Sequence, residues 1–119
     1  MKTLLIGITV LASLISFDRW SLDGWVGVAG GLTLHEDTVY APGYSDAGFR
    51  AVRLGMTVAE VEKLIGRAER TWTLEDREGE KSEFGARWSH SARDSNYRCR
   101  VLLFRDGRVT EKHSEFYVD

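Results

Sequence analysis

Met56-Thr57-Val58-Ala59-Glu60-Val61-Glu62-Lys63-Leu64-Ile65-Gly66 is the stretch whose reading decides the fold. Thr57 and Glu60 stand three apart, the spacing of a capping box, in which each side chain satisfies a backbone N–H that the first helical turn leaves open. Met56 before the cap and Val61 within the helix are placed to close a hydrophobic staple. Val58, Val61, Leu64 and Ile65 then recur at helical spacing, and Gly66 supplies a residue that accepts a left-handed C-terminus. A helix with one apolar stripe needs a surface to cover it.

Working outward, Ser45 or Asp46 caps a shorter helix that runs to about Arg53, with Phe49 and Val52 on its inner face. On the C-terminal side, aromatic and β-branched residues alternate with polar turns, which predicts strands over residues 70–75, 83–90, 97–105 and 108–118. Phe84, Ala86 and Trp88 alternate with Gly85 and Arg87, the pattern of a half-buried strand, and Trp72 and Leu74 share one face. Asp106-Gly107 joins the last two strands as a two-residue hairpin turn, both of whose central positions require positive φ. Glu111, Lys112, His113 and Glu115 are read as charges that discourage stray pairing at an edge. The expected fold is α+β: two helices on a three- to four-stranded antiparallel meander, ordered ααβββ(β) and preceded by an N-terminal hydrophobic segment.

That segment opens with Lys2 and continues as an apolar run from Leu4 to Phe17, the layout of a signal peptide. As a helix it would be about 21 Å long, short of the roughly 30 Å hydrocarbon core. No clean cleavage site follows Phe17, so residues 1–17 read as a signal peptide or a membrane anchor. No cysteine stands at the junction to carry a lipid. Residues 18–43, rich in glycine and holding the only proline, Pro42, read as a linker, and residues 44–119 as the folded domain. Trp20 and Trp25, outside that domain, suit a membrane interface.

The chain has 119 residues, 43% of them hydrophobic and 29% charged, which is one ordinary domain with an extension. A net charge of −2 comes from 16 basic and 18 acidic residues dispersed along the chain, so no single-sign field exists to gather nucleic acid. With the single cysteine Cys99 no intramolecular disulfide can form. A core confined to residues 44–119 supplies only about 3–5 kcal/mol, so an oligomer, a membrane surface or a partner is expected to supplement it.

Phe49, Val52, Gly55-Met56-Thr57, Glu60-Val61 and Leu64-Ile65-Gly66, followed by Trp88, Val101, Phe104, Gly107 and Val109, resemble the SmpA/OmlA (BamE-like) family. The similarity spans residues 44–109 and is most specific in the run from Phe49 to Val61. The β-lactamase-inhibitor proteins are similar in layout. The resemblance implies a two-layer α+β domain of the bacterial envelope that binds protein and carries no cofactor. The family commonly has proline two residues after the helix-ending glycine, where this chain has Ala68.

No residue set for chemistry stands out. Cys99 lies between Arg98 and Arg100, but in a strand both arginines point to the opposite face, which leaves Cys99 as a small core residue. His35, His90 and His113 fall in separate segments without ligand spacing. The serines from Ser89 to Ser95 sit in no nucleophile elbow, and the glycines from Gly24 to Gly31 lack the Lys-Ser/Thr of a phosphate loop. The expectation is therefore a non-catalytic cell-envelope protein-interaction module on the periplasmic side, exported or anchored through residues 1–17, possessing no metal or cofactor and having a protein partner. The rival reading is an exported inhibitor-like or small-ligand-binding protein. Trp72, Arg87 and Trp88 are the expected partner-binding residues, since aromatics and arginine dominate interface energetics.

Overall fold

Thr57 caps its helix as the spacing requires: its Oγ1 accepts a hydrogen bond from the Glu60 N–H at 3.2 Å. The computed structural model describes residues 22–30, 36–75, 79 and 82–118. The first seventeen residues and Trp20, with the expectations attached to them, lie outside those residues. Among the described residues, three helices and two antiparallel sheets, of two and four strands, make an α+β fold. In chain order they are α1 (22–30), β1 (Thr38–Tyr40), α2 (Asp46–Ala51), α3 (Val58–Ile65), β2 (Arg70–Thr73), β3 (Phe84–Arg87), β4 (Ser89–Ser91), β5 (Tyr97–Arg105) and β6 (Arg108–Tyr117).

The four-stranded sheet has the order β2-β3-β5-β6, and α2 and α3 cover one face of it. Phe49 and Val52 from the first of these helices, and Val61 and Ile65 from the second, meet Ala86, Trp88, Leu102 and Phe104 from the sheet. Ser45 caps α2 through the Gly48 N–H at 3.0 Å. Gly66 ends α3 at φ +71°, as a residue without Cβ allows. Thr57→Ala removes the α3 cap and is expected to lower stability by about 1 kcal/mol, read as a lower denaturant midpoint at unchanged slope.

The Asp106-Gly107 turn is as read, with φ of +51° and +71°. Beyond it the register slips by one residue between Leu103 and Phe104, so that Phe104 pairs with Val109 and Leu103 with Glu111. Thr110 is the extra residue of a β-bulge. Because the bulge resets the alternation, Val109 and Lys112 both turn toward the helices. Lys112 is therefore no edge charge. Its Nζ donates to the carbonyls of Phe49 at 2.8 Å and Val52 at 2.7 Å, closing the C-terminal end of α2 where cations are favoured. Burial lowers its pKa.

Three further expectations are corrected. The strand read over residues 83–90 breaks at Trp88, because Ser89 Oγ donates to the Arg98 carbonyl at 2.6 Å and β4 turns to pair with β1. The stretch read as a linker, 18–43, contains α1 and β1. Its glycine content gave the appearance of a spacer, but Asp23, Gly27 and Gly30 share a buried face. Cys99 is not a core residue. It is half-buried on the outer face of β5, and Arg98 and Arg100 are the buried ones. Burial, with the Glu115 carboxylate adding to it, raises the Cys99 thiol and keeps it protonated.

Candidate functional site

On the helix-covered face, α3 does not reach across β2. The space left is a cleft of about 280 Å³, with Val61, Phe84, Ala86, Trp88 and Phe104 among its lining residues and Glu62, Arg67 and Thr71 as its polar ones. The rings of Phe84 and Phe104 stack with centroids 4.8 Å apart, which makes part of the wall flat and apolar. Trp88 is 2% exposed, and its Nε1–H donates to the Gly66 carbonyl at 3.0 Å. That bond ties the end of α3 to the sheet.

Thr71 connects this cleft to the edge of the sheet. The Leu74 N–H donates to the Glu83 carbonyl at 2.8 Å, and Thr71, Trp72 and Thr73 lie opposite Ala86, Gly85 and Phe84. Backbone groups alternate in direction along an antiparallel pair. Arg70, Trp72 and Leu74 therefore direct theirs at β3, and Thr71 and Thr73 direct theirs outward. Among the described residues no strand pairs with that outer edge. Thr71 thus offers a side chain to the cleft and a backbone N–H and C=O to an incoming strand.

The three expected partner-binding residues do not form one surface. Trp72 lies on the sheet face away from the helices, laid over Gly85 so closely that a Cβ there would meet its ring at 2.4 Å. Arg87 is on the same outer face, 3.2 Å from Glu69 Oε1. Trp88 faces the other way, into the core and the cleft. Reading the strand alternation through to Trp88 places it correctly.

His90 and His113 lie among the described residues, and each contacts one carboxylate. His90 Nδ1 is 2.7 Å from Glu69 Oε2, an oriented imidazole. The hydroxyls that flank it in sequence are engaged elsewhere: Ser89 Oγ with the Arg98 carbonyl and Ser91 Oγ with Asp37 at 2.7 Å. His113 Nε2 pairs with Glu111 Oε2 at 3.2 Å on the exposed face. Among the described residues no three His, Cys, Asp or Glu side chains gather to hold a metal ion.

A buried ion cluster, which no local sequence pattern marks, joins α1 to β5. Asp23, from α1, is buried against two arginines of β5. Its Oδ2 accepts from Arg98 Nη1 at 2.5 Å and Arg100 Nη2 at 2.9 Å, and its Oδ1 accepts from Arg100 Nη1 at 2.6 Å. Arg100 Nε also donates to the Tyr44 hydroxyl at 2.9 Å, which in turn donates to Asp46 Oδ1 at 2.6 Å. Burial alone would lower Arg100, but the hydrogen bond and charge of Asp23 outweigh it and raise the guanidinium. Burial, with the acceptor Asp46 adding to it, raises the Tyr44 phenol. Burial and the Asp46 charge push Tyr40 up to about 12.

Comparison of the chain with known protein families, with curated proteins and with solved structures finds no match in any of the three.

Proposed function

We propose that this chain is a non-catalytic docking module of the cell envelope, which takes an extended segment of a partner protein along the edge of β2. The observation that carries this reading is the double role of Thr71, which lines an apolar cleft and presents beside it backbone groups that no strand among the described residues pairs. An added strand would gain main-chain hydrogen bonds from the edge, while every second side chain would enter the cleft. Its other side chains would lie toward Trp72. Arg67 and Glu62 line the same cleft and supply polar contacts of either sign.

At about 280 Å³ the cleft has room for an anchoring side chain of the docked segment. The envelope location draws on the Lys2 and Leu4-to-Phe17 pattern and on the resemblance to the SmpA/OmlA family.

Photocrosslinking tests the docking edge. A photoreactive residue at Thr71, in cells of origin, is expected to give a discrete adduct with an envelope protein, and Ala68→Trp, which fills the cleft, is expected to abolish it. Adducts from an outer-face position such as Glu111, with none from Thr71, would move the docking surface to the other side of the sheet. A single soluble enzyme captured through Thr71 would favour the inhibitor-like role instead.

A further inference from the structure

The weakest helix of the fold is held by its strongest ionic contact. Three of the nine residues of α1 are glycine, Gly24, Gly27 and Gly30, and Gly24 has φ +65°. Glycine is a poor helix former, so α1 has little tendency to persist by itself. Gly30 lies against the Phe116 ring, where a Cβ would stand 2.6 Å from it, and Leu22 joins the core. A further attachment is the Asp23 carboxylate, gripped by Arg98 and Arg100.

The two arginines are held from the other side by groups that do not belong to α1. Arg100 is fixed by the Tyr44 hydroxyl and the Cys99 carbonyl and lies 6.0 Å from the Phe49 ring centre. Arg98 is fixed by Glu36 at 3.0 Å and lies 5.3 Å from the Phe116 ring centre. With α1 lifted away these contacts would persist, leaving two preorganised guanidinium forks where Asp23 had been. Glu36 and Asp46 are about one-third exposed, so solvent weakens their hold on the two guanidinium groups. Arg98 Nη2 is also buried without a hydrogen-bond partner. The site has a donor to spare.

We propose that Arg98 and Arg100 form a carboxylate-binding site which the chain fills with its own Asp23, and which an aspartate or glutamate side chain of a partner occupies when α1 lifts off as a strap. This does not depend on docking at β2, because it uses the opposite end of β5 and a different ligand chemistry.

Two measurements on the full chain test it. In hydrogen exchange, amides of residues 22–30 are expected to exchange at least about tenfold faster than those of β5, and Asp23→Asn to widen the gap while leaving β5 unchanged. Equal protection of both segments in both chains would overturn the strap. For the site, Asp23→Ala is expected to lower the melting midpoint, and sodium acetate to restore about 5 °C of it relative to sodium chloride at equal ionic strength. The unaltered chain should show no acetate-specific shift. If the variant does not fold in chloride, it is expected to fold in acetate by circular dichroism. No acetate-specific recovery in either assay would overturn the carboxylate site.

Discussion

Arg100→Met is expected to lower the unfolding free energy by about 3–5 kcal/mol. The side chain is fully buried and the Asp23 carboxylate facing it is 1% exposed. Methionine keeps most of the volume, so the loss measures charge and hydrogen bonding rather than a cavity. Two of the three donors to Asp23 would disappear, and the Tyr44 hydroxyl and the Cys99 carbonyl would each lose one as well. Arg98 would still hold Asp23, which places the result toward the lower end of that range. Arg100→Met combined with Asp23→Leu removes the stranded carboxylate and is expected to cost less than the two single changes added together. Denaturant unfolding of the four chains decides it. Single changes each within about 0.5 kcal/mol of the parent, the scale of an ordinary surface substitution, would show that the ion cluster does not hold α1 and the sheet together.

Trp88→Ala is expected to cost about 3–5 kcal/mol and to lower the melting temperature steeply. The ring is 2% exposed and packs between α3 and the sheet, so the surrounding side chains cannot refill its space without shifting α3. The Gly66 carbonyl, which accepts the indole N–H, would lose its partner at the end of the helix. Trp88→Phe keeps most of the packing and omits the hydrogen bond, and about 1–2 kcal/mol is expected for it. Calorimetry on the two variants separates packing from hydrogen bonding. A Trp88→Ala chain that melts like the parent would return this residue to the docking surface.

Elements set by neighbours in sequence were legible. Thr57 and Glu60 start α3, Gly66 ends it, and Asp106-Gly107 turns β5 into β6, because caps and tight turns depend on residues a few positions apart. The Phe84, Ala86, Trp88 alternation gave the correct face for all three. What could not be read depends on distant partners. Asp23 lies 75 and 77 positions from its arginines, and no local pattern connects them. Hydropathy ranks Cys99 above Arg98 and Arg100 as a core candidate, yet the phase of β5 is set by Leu102 and Phe104, which carry both arginines inward. Lys112 was hidden in a similar way: the bulge at Thr110 shifts the phase of β6, and no glycine or proline announces it. Of the candidate site, Trp88 is legible in the strand alternation, and its 2% exposure places most of the ring in the core. Thr71 was not foreseen, since an edge position becomes apparent only when strand order is known.

The burial of Arg98 and Arg100 with Asp23 also alters how the molecule presents itself to its surroundings. Both guanidinium groups are withdrawn from water together with their carboxylate, so a dicarbonyl reagent that modifies exposed arginines should spare Arg98 and Arg100 in the folded chain and reach them only when the fold opens.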